Sequence, residues 1–383
     1  MRYSFFVSTR VLLLFWSVSV FYAQTPKKST KQTLEISNFY GTVARHNPEI
    51  SHLITGNPQG IFVAWDYKTS GEKDWHKLYN RPDWGVGFLY QDMADSRLGS
   101  HIGLYAHYNF YLWKRALSLR TGTGFSYNTN PYDKVKNFRN VAYGTHLLSS
   151  TYLFLNYNQL HIWEGLGITA GLGIIHYSNG NFKAPNKSTN TVTASIGLRY
   201  DFENKSDVKD RIPEKRTSGL TSYEPFRFHV WLRGGINEND LVGSGQFPFY
   251  TPGIMVSKAI SRRSDLQLGS EVFFSRALRE FIEFRKAGDF EDKRIKGNPD
   301  AKRVGIYIGH ELKISQFSIL NQIGYYAYYP VDFEGRVYLR TGLNFRWSPK
   351  VQASFTVKSH AAKAETVELS LGYAIFQTQK GKK

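Results

Sequence analysis

Two residues at the end of one alternating stretch, His176 and Ser178, are of types that together carry out acyl transfer. An imidazole within reach of a hydroxyl serves as general base to a serine nucleophile. Two apart on an extended chain, they share a face and stand roughly 6–7 Å apart along it, a gap that modest strand twist closes. Asn179 and the backbone amide near Gly180 follow directly and can donate to the oxyanion that such an attack creates. On its own the His-x-Ser spacing is a weak signal, because both residues are common as interfacial polar groups at strand ends.

The stretch that positions them is more informative. From Leu166 the even positions read Leu166, Ile168, Ala170, Leu172, Ile174, His176 and Ser178, while the odd ones are Gly167, Thr169, Gly171, Gly173 and Ile175. The next run repeats this, with Val192, Ala194, Ile196, Leu198 and Tyr200 against Thr191, Thr193, Ser195, Gly197 and Arg199. A period of two with one greasy face and one small, polar face is the pattern of a membrane β-barrel strand. His176, Ser178 and Asn190 all fall on the lipid-facing parity, clustered where the two strands meet their loop.

Composition points the same way. With 41% hydrophobic and 16% aromatic residues, the chain is rich in Tyr, Phe and Trp yet has a mean hydropathy of −0.40. Past the N-terminus no apolar run of about 18 residues occurs, which argues against helical spans. Arg2 and Arg10 ahead of the apolar run Val11 to Phe21, with a small residue at Ala23, predict a signal peptide over 1–23. There is no cysteine, so neither disulfides nor a lipoprotein anchor is available. The formal charge of +18 suits anionic lipid headgroups, and an exported protein is a poor candidate for nucleic acid.

Alternating runs recur from Gly85 onward and predict an all-β, antiparallel transmembrane β-barrel of about fourteen strands. The alternative is an eight-stranded barrel plus a second β domain, because the long charged stretch Ser206 to Glu224 either separates two sub-barrels or forms an inner loop. The expected division is a periplasmic segment over 24–80 with at most one strand, a barrel over 81–376 and a basic tail over 377–383. Tight connections at Lys114-Arg115, Asn158 to Trp163, Ser261 to Ser264, Ile314 to Gln316 and Ser348-Pro349 share one side, and long ones the other. The His-Ser hairpin tip therefore belongs to the outer side.

Ile175 to Asn186, IHYSNGNFKAPN, resembles the active-site segment of the outer-membrane lipid A 3-O-deacylases (the PagL family) and related acyloxyacyl hydrolases, as does the upstream run over 146–174. The similarity covers 145–202. The resemblance implies an outer-membrane esterase that removes an ester-linked acyl chain from lipopolysaccharide without metal or cofactor, with Ser178 as nucleophile, His176 as base and Asn179 as oxyanion donor. Twelve positions past Ser178, where the family has Glu, stands Asn190. An amide can hold the imidazole tautomer but does not neutralise the imidazolium, and the comparable Asp-to-Asn change in a serine protease costs about 10⁴-fold.

Asp92, Asp95 and Asp133 are the acids at outer strand ends or loops that can substitute, whereas Glu164 belongs at the opposite rim. The loop over 276–302 pairs Arg276, Arg279, Arg285, Lys286, Lys293 and Arg294 with nearly as many acids and reads as a solvated, partly helical loop. His46 and His52 lack a placed acid and do not make a metal site. Two rival classes remain: a non-catalytic porin or lipid transporter with a degenerate site, and a periplasmic β-sandwich.

Overall fold

The structure, a computed structural model, describes residues 31–202 and 226–377 apart from 240, 288–294, 296 and 362. Its strands are all antiparallel and close into two eight-stranded barrels. The first holds β1 (Gln32–Val43), β2 (Gln59–Lys68), β3 (Asp83–Asp92), β4 (Ser100–Leu112), β5 (Leu117–Asn128), β6 (Leu147–Trp163), β7 (Leu166–Ser178) and β8 (Thr189–Asp201). The second holds β9 (Phe226–Asn237), β10 (Phe247–Ala259), β11 (Ser264–Ser275), β12 (Arg303–Ile314), β13 (Phe317–Tyr328), β14 (Val337–Arg346), β15 (Val351–His360) and β16 (Lys363–Gln377). Each circle is shut by its own first and last strands, Ile36 facing Leu198 and Leu232 facing Leu371.

The all-β barrel architecture matches the sequence reading, and its sixteen strands are divided as in the two-unit alternative. Both extra strands lie in the interval 24–80, expected to be periplasmic with at most one strand; β1 and β2 are instead full members of the first barrel. The alternation of β1 is blunted because polar Asn38 and Thr42 are among its outward residues and apolar Phe39 and Val43 among its inward ones. The stretch 206–224, which prompted the alternative, lies outside the described residues, as does most of the predicted basic tail and the whole predicted signal peptide.

Each strand turns one set of side chains outward and the other into the lumen. Leu172, Ile174, Val192, Ile196 and Leu198 are exposed on the wall of the first barrel, and Thr169, Thr191, Thr193 and Arg199 are buried inside it. Outward hydrocarbon replaces water by lipid, and closure leaves no backbone edge unpaired. An eight-stranded barrel has an interior just wide enough for side chains to fill. In the first lumen Arg120 grips Glu35 through two bonds of 2.8 and 2.7 Å, and His107 meets Asp66 at 2.5 Å. An aromatic layer of Phe62, Tyr105, Tyr152 and Phe154 packs there as well. The second lumen is tied by Arg340 to Glu368 at 2.5 Å and to Glu271 at 2.8 Å. Removing one member of such a buried pair costs about 3–5 kcal/mol, because the other charge is left uncompensated.

Tight turns gather at one end of the barrels. The β6–β7 turn is formed by Glu164 and Gly165 with φ of 38° and 87°, the left-handed geometry that matches hairpin twist. The β7–β8, β9–β10 and β11–β12 connections lie at the opposite end. The barrels touch at both ends: Tyr79 donates to the Lys313 carbonyl at the tight-turn end, and Asn181 donates to the Glu238 carbonyl at the loop end.

Candidate active site

Strand pairing brings the candidate residues together. His176, near the end of β7, is the register partner of Asn190 at the start of β8, and their side chains meet with Nδ1 to Oδ1 at 2.8 Å. A carboxamide oxygen only accepts, so His176 Nδ1 carries the proton and Nε2 is left with its lone pair, the tautomer a general base requires. The column below them on the same face is Ile174 and Val192, both exposed. The imidazole and amide thus stand on the outward wall at its loop-end rim, on the parity read from the sequence.

Ser178 shares that face but is only 5% exposed, because the chain folds back over it. Its Oγ donates to Asn186 Oδ1 at 3.1 Å and lies 2.9 Å from Asn186 Nδ2. The Gly180 amide donates to the same Oγ at 3.0 Å. Among the described residues no hydrogen bond links Ser178 to His176. The hydroxyl rests against Asn186 rather than the imidazole; resting sites often have such loose geometry before substrate binds.

The amides that the sequence offers as oxyanion donors are placed by the same turn. The Asn179 backbone N–H donates to Asn186 Oδ1 at 3.0 Å, and the Asn179 side chain donates to the Lys183 carbonyl at 2.6 Å. Gly180 has φ of +62°, and a Cβ there would fall 2.0 Å from Val367 Cγ2, so only glycine fits. Asn186 thus organises both the hydroxyl and the turn. Sequence reasoning did not assign it a role, although it closes the motif at Pro185-Asn186; its contact with Ser178 depends on how the intervening loop folds back.

The alternative acids are engaged elsewhere. Asp95 is held by Arg97 at 2.5 Å and Thr55 at 2.7 Å; burial would raise its pKa, but these bonds keep it at about 2. Asp92 caps the Ala94 amide at 2.9 Å. Asp133 binds the Val135 and Lys136 amides. Glu164 sits in the β6–β7 turn at the far end. His46 faces the Ala44 carbonyl and His52 the Arg139 carbonyl, so the two do not converge.

The helix Arg276–Ala287 buries Leu278, Phe281 and Ile282 and turns the Arg276–Glu280 pair outward. Arg276, Arg279, Arg285 and Lys286 belong to it, whereas Lys293 and Arg294 lie outside the described residues. Glu334, His360 and Glu365 lie within 4.8 Å of one another. Arg303, Lys358 and Lys363 bind the same carboxylates, so cations of the chain already supply the charge that a metal would bring.

An open groove of about 700 Å³ starts two outward positions below Asn190 and is lined by Tyr40, Ile61, Tyr90, Ala194 and Ile196. A second, of about 560 Å³, shares Asn38 and Ile196 with it and continues down the wall past Leu34 and Leu198.

On the outward barrel wall, an imidazole two residues from a serine hydroxyl stands above an apolar groove. Residues 59–199 match the family model described as lipid A 3-O-deacylase (PagL). Residues 226–378 match that described as acyloxyacyl hydrolase, C-terminal domain. The chain belongs to the PagL family of lipid A deacylases and is an outer-membrane ester hydrolase that acts on lipopolysaccharide. No curated protein matches it. Among solved structures, the siderophore receptor PirA from Pseudomonas aeruginosa aligns over 92% of this chain and 81% of its own at 8% identity, with a TM-score of 0.25. A triple mutant of the Rhodopseudomonas blastica porin aligns over 89% and 98% at 8% identity, with a TM-score of 0.18.

Proposed function

We propose that Ser178 is the nucleophile of this hydrolase, His176 its base and acid, and Asn190 the group that orients the imidazole. The acyl chain enters sideways from the outer leaflet and lies in the wall groove between Tyr40, Ala194 and Ile196, which places its ester at the rim. Ser178 Oγ rotates off Asn186, gives its proton to His176 Nε2 and bonds to the ester carbonyl carbon. The carbonyl oxygen becomes an oxyanion and takes hydrogen bonds from Asn179 and from the Gly180 amide, which the rotating hydroxyl has just released. When the tetrahedral species collapses, the sugar hydroxyl departs with the proton from His176. Water, deprotonated by the same imidazole, then frees the fatty acid from Ser178. No step requires a metal or cofactor.

The observation that carries this reading is the 2.8 Å bond from His176 Nδ1 to Asn190 Oδ1 on the outward wall, two residues from a serine hydroxyl. The rival porin or transporter needs a passage. Both lumens are instead occupied by large buried side chains, including Arg120, Tyr105, Arg303 and Arg340. Export by a signal peptide over 1–23 completes the proposal and accounts for delivery to the outer membrane.

The test is fatty-acid release from lipopolysaccharide by folded protein. Ser178→Ala is expected to lower it by about 10³-fold or more, and a mass spectrum of the product identifies the chain removed. Release by Ser178→Ala at the wild-type rate would end the assignment.

A further inference from the structure

The turn that carries Asn179 and Gly180 is not held by the first barrel alone. Glu238, in the β9–β10 loop of the second barrel, reaches across with its carboxylate. Its Oε2 accepts from the Ala184 amide at 2.7 Å. Its Oε1 accepts from the Gly243 and Gly245 amides of its own loop at 2.8 and 3.2 Å. Its backbone also pairs with Asn181, whose side chain donates to the Glu238 carbonyl at 3.0 Å while the Glu238 amide donates to the Asn181 carbonyl at 3.1 Å. Further contacts come from the Glu365 carbonyl on Asn181 at 3.4 Å and from Gln246 on the Phe182 carbonyl at 2.8 Å. Val367, on the outer face of β16, fills the space beside Gly180.

Glu238 is 2% exposed. A carboxylate is costly to bury, and here three backbone amides from two loops satisfy it. Such an arrangement fixes the relative position of the loops to within a hydrogen-bond length. What it fixes on the first-barrel side is the segment that presents the oxyanion donors and, through Asn186, the serine hydroxyl. Displacement of such donors by about an ångström is enough to lose much of their effect on a transition state.

We infer that the second barrel completes the active site of the first: Glu238 is a positioning residue that holds the 179–186 turn in its working shape. The inference rests on Ser178 being the nucleophile. It assigns the second barrel a role in turnover rather than in passage of solutes.

The experiment uses the full-length protein folded in detergent micelles, with p-nitrophenyl butyrate and lipopolysaccharide as substrates. Glu238→Ala is expected to lower kcat about 10- to 100-fold on both, with KM within about twofold, since oxyanion donors act in the transition state. Glu238→Gln, which leaves one carbonyl oxygen for three amides, should fall between Ala and wild type. Asn181→Ala cuts the same junction from the other side and covers the case in which Glu238→Ala does not fold; it should lower kcat several-fold and speed hydrogen exchange at the amides of 180–184. Wild-type kcat in folded Glu238→Gln and Asn181→Ala proteins would overturn the inference. If Ser178→Ala is inactive while these variants are normal, only the positioning role fails; if Ser178→Ala is active, the site assignment itself fails.

Discussion

Two histidines stand near the loop ends of their barrels, and their surroundings are opposite. His176 of β7 points outward toward lipid and is partnered by the Asn190 amide. His360 of β15 points into the lumen, where Glu365 lies 2.8 Å from its Nε2 and the Val337 carbonyl 3.0 Å from its Nδ1. By the usual logic of catalytic dyads the second histidine has the better partner, a carboxylate. It is nevertheless sealed among Tyr326, Arg303 and Lys358, whose side chains are buried with it. The first has the weaker partner but stands on the outward wall and has a hydroxyl two residues away. Under the proposed assignment, access set by strand parity selects the imidazole that does the chemistry, ahead of the quality of its partner.

The contrast can be broken from either side. His176→Ala should lower fatty-acid release by about 10³-fold or more and leave the unfolding midpoint nearly unchanged, because a rim residue carries little packing. Arg340→Met in the second lumen should do the reverse. It strands Glu368 and Glu271, costs about 3–5 kcal/mol in urea unfolding, and leaves kcat unchanged where the protein is folded. If Arg340→Met lost kcat while remaining fully folded, the division between lumen and rim would be wrong.

Asn190→Asp sharpens the comparison by giving His176 the kind of partner that His360 has. The shorter carboxylate keeps an oxygen for the Nδ1–H bond and can stabilise the imidazolium that forms during attack, so kcat should rise by about tenfold or more. Stopped-flow ester cleavage measures it, and a fall in rate would show that the amide is required as it stands. The smallest effect belongs to Arg276→Ala. Its pair with Glu280 at 3.3 Å is exposed, and such i, i+4 pairs contribute about 0.5 kcal/mol or less; a larger loss of stability would mean that its guanidinium, 5.7 Å from the Phe247 ring centroid, also ties the helix to β10.

The sequence by itself determined what is local. Alternation along 166–178 and 191–201 specified strands, assigned their faces, and put His176, Ser178 and Asn190 on the outward one, because side-chain direction in a strand depends only on residue parity. The barrel class, the place of the hairpin tip at the end opposite the tight turns and the family likeness at 175–186 followed from the same patterns. Closure was decided by the tertiary structure. Whether β8 returns to β1 or continues to β9 is a choice between hydrogen-bonding partners that look alike in sequence, and β1 went unpredicted because outward Asn38 and Thr42 and inward Phe39 and Val43 break its alternation. Two placements were equally invisible: Asn186 folding back on Ser178, and Glu238 reaching Ala184 from another barrel. Each depends on where distant backbone segments come to rest, which no local periodicity encodes.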